Sequence, residues 1–257
     1  MNKSELCKNC NSKLYGKYCS SCGQKDIDVL DLKLITKDFI KDVFEIDSRV
    51  FLTLKNLLIN PGLLTKEYWL GKRKKYISPT RLIIVTSFIY FIMVPFLFDE
   101  TEIFMEIDGQ SMTQQNKIEF FETIDIRFKS IIFSLEKYAT LIAIPFLAFI
   151  LGRLYKNHNL RYLHHIITLL HFCSFEYCLN TISSGFILLF HSYLDLIEII
   201  STIPLIIYLF VMMKNLYEET YLKTLLKTFV LIVSLVSFVI SIMIGYTFIP
   251  PVLGLLL

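Results

Sequence analysis

Apolar residues in this chain come in long blocks, not in the alternation of a half-buried strand or the stripe of a soluble helix. The first long run is Arg81–Phe98, RLIIVTSFIYFIMVPFLF. The second, Ala139–Leu151, is lengthened by Glu136–Tyr138 before it and by Tyr155 after it. The third runs from about Leu163 to Phe190 and carries His, Cys, Glu and Asn inside it; the fourth is Leu196–Met213, and the fifth is Leu225 to about Pro250. A hydrocarbon core ~30 Å thick takes roughly 20 helical residues. Backbone groups in lipid must bond within their own segment, so each run is predicted to be a helix. The expected fold class is an all-α integral membrane helix bundle of about five spans, near residues 81–98, 136–155, 163–190, 196–213 and 225–250. Pro145 and Pro204 fall inside runs and predict kinks. A soluble core is excluded, because 257 residues cannot bury five such helices on every side.

Composition agrees with the pattern: 54% of residues are hydrophobic and the mean hydropathy is +0.55. The formal net charge of +3 says little, but the placement of charge says more. Lys72, Arg73, Lys74, Lys75 and Arg81 precede the first run, and residues 99–136 after it are acidic. Arg153, Lys156 and Arg161 follow the second run, and Lys214, Lys223 and Lys227 lie between the fourth and fifth. These basic groups all fall on one side if the N-terminus is cytoplasmic and the C-terminus outside. The first thirty residues hold no apolar h-region, so no cleavable signal peptide is expected. The expected location is a bacterial cytoplasmic membrane.

Ahead of the spans, residues 26–80 read as cytoplasmic amphipathic and juxtamembrane helices, with residues 81–257 as the bundle. Leu30, Leu34, Phe39, Ile40, Val43 and Phe44 make one imperfect helical stripe, and Phe51, Leu52, Leu54, Leu57 and Leu58 make another. Asn60-Pro61-Gly62 predicts a helix start, with Asn60 as cap and Pro61 at the first helical position. Leu63–Leu70 follows as a short helix, and Gly71 is its stop. Tyr68, Trp69 and Tyr76 beside Lys72–Lys75 suit the headgroup layer, so this stretch is expected on the cytoplasmic face against anionic lipid. In the outer segment, Ile118, Phe121, Ile124, Phe128 and Ile131 make a helix on the opposite surface.

Residues 1–25 carry a different chemistry. Cys7-Lys-Asn-Cys10 and Cys19-Ser-Ser-Cys22 are two CxxC pairs with eight residues between them. Two such turns aim four sulfurs at one ion, the arrangement of closed structural zinc sites. Asn11 and Gly23 follow the second Cys of each pair, and these residue types enter the left-handed conformation most readily. That turn points backbone N–H groups at the sulfurs. Lys8, Lys13, Lys17 and Lys25 offset the charge of four thiolates. About twenty residues cannot build a core, so metal binding is what folds the segment. Zinc is the expected ion in a structural role; iron would use the same ligands. On the cytoplasmic side the thiols stay reduced. Cys173 and Cys178, inside the third run, read as packing residues.

The stretches CKNCNSKLYGKYCSSCGQK, RVFLTLKNLLINPGLLTKEYWLGKRKKYISPTRL and RYLHHIITLLHFCSFEYC resemble an uncharacterised bacterial membrane family, domain-of-unknown-function family 3667. The resemblance covers the N-terminal half through the first span and returns in the third. It implies a zinc ribbon followed by several spans, and it implies no activity.

One polar cluster stands out within the apolar runs. His164, His165, His171, Cys173, Glu176, Cys178, Asn180 and His191 lie in or beside the third span. Ionisable groups inside a bilayer are costly and read first as functional. His164 and His171 share a helix face, with Thr168 between them; His165 and Glu176 share another. Hydrogen bonding between helices is the bland role for these groups, and a proton or ion path through His164, His171 and Glu176 is the sharp one. No zincin signature, nucleophile elbow or phosphate loop is present, so an enzyme is not favoured. The favoured function is a scaffold or adaptor whose ribbon binds a protein partner at the cytoplasmic face. The alternative is a transporter of a small solute, ion or proton. No nucleic-acid partner is expected, since the basic run sits against the membrane.

Overall fold

The computed structural model describes residues 6–25, 49–93, 142–190 and 194–256. The stripe from Leu30 to Phe44, the acidic outer segment, the far end of the first run and the beginning of the second lie outside the described residues, as does His191. The helices in chain order are α1 (Arg49–Ile59), α2 (Leu63–Trp69), α3 (Pro79–Met93), α4 (Ile142–Leu154), α5 (Tyr162–Leu189), α6 (Leu194–Tyr217) and α7 (Tyr221–Leu256). Among the described residues, three helical stretches are long and apolar enough to cross a membrane: Tyr162–Leu189, Ile199–Tyr217 and Tyr221–Ile242. The first and second apolar runs supply α3 and α4, which are shorter apolar helices. Both border the segment outside the described residues.

Burial ranks these helices. Within the apolar window of each, 39% of α5 is buried, against 28% of α6 and 11% of α7. So α5 is the axis of the bundle, with α3 and α6 packed against it and α7 against α6. Gly152 brings α4 close to α5, at the His165 ring, and Phe146 of α4 stacks on Phe238 of α7 at 4.7 Å. Phe229, Val233, Val236 and Ile240 leave α7 with a broad exposed apolar face. A helix that apolar and that exposed is a helix for lipid.

The short helices α1 and α2 are wedged into one end of this bundle. Leu57, Leu64, Tyr76 and Ile77 are fully enclosed and belong to the same core as Leu82, Leu151, Leu169 and Met212. Residues 49–77 therefore share a core with the spans. The wedge is held by carbonyls that helix ends leave free. Tyr208 donates its hydroxyl to the Leu57 carbonyl at 2.8 Å, and Asn215 donates its amide to the Pro61 carbonyl at 2.8 Å. Both donors come from α6, so α6 caps the end of α1.

The turn between α1 and α2 differs from the expected helix start. Asn60 is not the cap and Pro61 is not at the first helical position. Gly62 occupies the N-cap position with φ 86°, and the Asn60 carbonyl accepts the Leu63 N–H at 3.1 Å. The reason is the approach of α6. A Cβ on Gly62 would lie 3.2 Å from the Met212 carbonyl oxygen, so only a residue without a side chain brings the turn this close. At the other end of α2, Gly71 has φ 94° and terminates the helix as expected.

Candidate metal centre

The two CxxC segments fold into two near-identical knuckles. In the first, Cys7 N–H donates to the Ser12 carbonyl and Asn11 N–H to the Cys7 carbonyl, both at 2.8 Å. In the second, Cys19 N–H donates to Gln24 at 2.8 Å and Gly23 N–H to Cys19 at 2.9 Å. Asn11 and Gly23 have φ of 59° and 69°, the left-handed conformation their residue types predict. Antiparallel bridges, Leu6 with Lys13 and Tyr18 with Lys25, close each knuckle at its base.

The four sulfurs of Cys7, Cys10, Cys19 and Cys22 lie within 4.8 Å of one another. Cys7 to Cys22 and Cys10 to Cys19 are both 3.6 Å. A disulfide needs ~2.05 Å, and all four are free thiols. A Zn–S bond of ~2.3 Å spaces the corners of a tetrahedron ~3.8 Å apart, so the cluster has the dimensions of a four-thiolate metal site. The donor set fits a soft divalent ion and leaves no coordination position open. Ser12 draws the Cys10 thiol down to about 6 through its hydroxyl and its backbone N–H. Burial pushes the Cys22 thiol up to about 11. A bound cation is what allows all four to ionise together.

The ribbon is not loose on a tether. The Gln24 side chain, directly after the second knuckle, is buried in the loop between α2 and α3. Its amide donates to the Gly71 carbonyl at 2.6 Å, and its oxygen accepts from the N–H groups of Arg73 at 3.1 Å and Lys74 at 3.2 Å. The Lys8 side chain covers Gly71, 3.0 Å from where a Cβ would be. The loop itself is braced from below. Glu67 takes hydrogen bonds from Lys72 and Lys75 at 2.8 Å each, and a short one from Tyr76. Burial pushes the Glu67 carboxyl up, but these donors outweigh it and hold it at about 2. Lys72 and Lys75 of the basic run thus point at Glu67, Arg73 and Lys74 take Gln24 on their backbone, and Arg49 donates to the Lys74 carbonyl at 3.1 Å.

Residues 47–91 match the family model described as Protein of unknown function (DUF3667). That segment is similar to DUF3667. It covers α1, the Gly62 turn, α2, the loop that receives Gln24 and most of α3, so the family's pattern lies over the wedge and the ribbon's seat. No curated protein and no solved structure matches the chain.

The histidines of α5 divide by face, as their spacing predicts. His164 and His171 face α2: the His164 carbonyl accepts the Trp69 indole N–H at 3.2 Å, and Thr65 Oγ1 is 2.8 Å from His171 Nδ1. Tyr68 meets the His171 ring edge-on at 6.1 Å. His165, on the other side, has Nδ1 2.9 Å from the Tyr217 hydroxyl, and Tyr217 stacks on Tyr155 at 3.5 Å. Lys227 lies 4.1 Å over Tyr155 and pairs with Glu219 at 2.6 Å. Glu176 is half-buried, Cys173 buried and Cys178 half-buried. Sequence reasoning did not single out Gln24, Thr65 or Tyr217. Each is an ordinary residue type whose role comes from a neighbour distant in the chain.

Proposed function

We propose that this chain is a non-enzymatic scaffold or adaptor of a bacterial cytoplasmic membrane, with five spans, a cytoplasmic N-terminus and a structural zinc ion in its ribbon. The observation that carries the reading is the closed four-thiolate cluster bearing an exposed apolar surface. Leu6, Tyr15 and Tyr18 are 54%, 84% and 62% exposed on a module with no core of its own. Tyrosine offers contact area at small entropic cost, which suits a protein partner. Within the basic run Lys72 and Lys75 pair with Glu67 while Lys74 is exposed, which leaves Lys74 as the side chain most open to anionic lipid.

The test is metal content and co-purifying protein on gently solubilised wild type, on Cys19→Ser/Cys22→Ser and on Tyr15→Ala/Tyr18→Ala. One zinc per chain, with a partner lost in both variants but zinc lost only in the first, supports the adaptor. A partner that survives both variants sinks it. Iron in place of zinc would point to electron transfer.

Transport is the second reading, and one observation favours it. His171 is fully buried, and its Nε2 has no hydrogen-bond partner among the described residues. A groove of about 550 Å³ opens between the α1–α2 turn and the α6–α7 corner, with Lys66, Lys214 and Glu218 on its walls. Neither His171 nor Glu176 lines it. The reading stands if His171→Ala and Glu176→Gln abolish uptake in vesicles while the ribbon is dispensable.

A further inference from the structure

We propose that the metal-loaded ribbon is a latch on the membrane bundle, with the Gln24 side chain as its bolt, so that filling or emptying the four-cysteine site fixes or frees the Gly71–Lys74 loop. The inference rests on the reading that Cys7, Cys10, Cys19 and Cys22 hold a metal ion. It goes beyond that reading by giving the ion a mechanical consequence at the membrane.

Three observations carry it. Gln24 makes all three of its side-chain hydrogen bonds to backbone groups of one short loop. A buried primary amide whose donor and acceptor ends are both satisfied this way fixes register as well as contact. Next, the position of Gln24 is set by the second knuckle, since its own carbonyl accepts the Cys19 N–H at 2.8 Å. When the sulfurs lose their ion, the knuckle loses what folds it, and Gln24 loses its fixed place. Finally, the loop it holds is the hinge between α2, wedged against His164 and His171, and α3, which packs along α5. Lys8, from the first knuckle, closes over Gly71 at the point where φ is 94°, so both halves of the ribbon touch the loop. A ribbon whose only duty was to display a surface would need none of these contacts. Gln24 and Lys8 join the ribbon to the chain's own basic loop, apart from the exposed Leu6, Tyr15 and Tyr18, and the ion decides whether the two are joined.

Hydrogen exchange read by mass spectrometry on the full chain in detergent tests this directly, with metal content measured on the same samples. The samples are zinc-loaded wild type, chelator-stripped wild type, and zinc-loaded Gln24→Ala and Gln24→Glu. In loaded wild type the amides of Arg73 and Lys74 are protected. Stripping is expected to speed their exchange about tenfold, together with loss of protection at Cys7, Asn11, Cys19 and Gly23. Gln24→Ala is expected to speed Lys74 by the same factor, and Arg73 by less because its N–H also donates to the Gly71 carbonyl at 3.0 Å, while the knuckle amides stay protected and zinc stays at one per chain. Gln24→Glu keeps the two acceptor bonds and loses the donor, so it falls between. Protection of Arg73 and Lys74 that survives stripping overturns the latch. So does protection of Lys74 that survives Gln24→Ala in a sample with full zinc. If wild type binds no metal at all, the metal reading fails, and with it the control of the latch by the ion. The Gln24 variants then show separately whether the amide holds the loop.

Discussion

Gly62 and Gly23 share a positive φ but not the same surroundings, and that difference is measurable. At Gly62, φ is 86° and a Cβ would sit 3.2 Å from the Met212 carbonyl and 3.4 Å from Leu216. At Gly23, φ is 69° and nothing lies within 4 Å of the added atom. Gly23→Ala should therefore cost only the left-handed backbone, about 1–2 kcal/mol, and leave the bundle's thermal midpoint untouched. Gly62→Ala carries that cost plus the displacement of α6, so its midpoint in detergent should fall clearly below wild type. Equal midpoints for Gly62→Ala and wild type would mean that the turn does not seat against α6. Glu67 gives a prediction in pH. Its folded-state value, about 2, is depressed below the ordinary 4.5. The stabilisation is therefore fully present above pH 4.5 and is lost as pH falls toward 2. It is on the order of 2–3 kcal/mol for a side chain that is 13% exposed. Wild type should lose midpoint across that window, and Glu67→Gln should start lower and change less. At this scale Asn11, Gly23 and Gly71 were legible, because residue type alone limits which backbone they favour. Gln24 was not. Nothing about a glutamine after a CxxC says that a loop 47 residues away will close around it.

The helices were legible to the extent that lipid dictates them. Long apolar runs became α5, α6 and α7 because a membrane allows little else. The amphipathic stretch around α1 and α2 was harder. Its apolar stripe fits a membrane surface as well as it fits the end of a bundle, and sequence periodicity cannot say which medium the stripe faces. The structure turns part of it inward, with Leu57 and Leu64 enclosed, and leaves Phe51, Leu52 and Leu58 exposed. Two polar contacts then join α2 to α5, Trp69 with the His164 carbonyl at one end and Thr65 with His171 buried deeper in the seam. Thr65→Val strands the His171 ring nitrogen in a buried site and should cost about 1–3 kcal/mol. His171→Leu alone should also destabilise, because it leaves the Thr65 hydroxyl without this partner. The double variant should recover much of the loss, since replacing both partners with apolar groups leaves neither unsatisfied. Thermal midpoints of the four proteins in one detergent close the cycle. Strict additivity would show that the two side chains do not communicate, and would remove the seam from any account of His171 as a packing residue.

Two kinds of stabilisation coexist in the whole molecule. The bundle has a core that runs unbroken from Leu57 through Leu169 to Met212. The ribbon, with Cys7 and Cys19 the only buried apolar residues among those described, has almost none. A module of that size depends on its ion, whereas the bundle depends on packing and lipid. Cys19→Ser/Cys22→Ser should therefore separate the two. The variant should lose its metal completely, measured by elemental analysis. Far-UV circular dichroism should stay within about 10% of wild type, because the described ribbon residues contain no helix while α1 to α7 keep their packing. The thermal midpoint of the helical signal should fall by only a few degrees, the share contributed by the Gln24 contacts to the α2–α3 loop. A collapse of helical signal would mean that the wedge of α1 and α2 is held in the bundle by the ribbon rather than by Leu57, Tyr76 and the α6 donors. That result would make the metal part of the membrane fold itself, and the boundary between ribbon and bundle would lose its physical meaning.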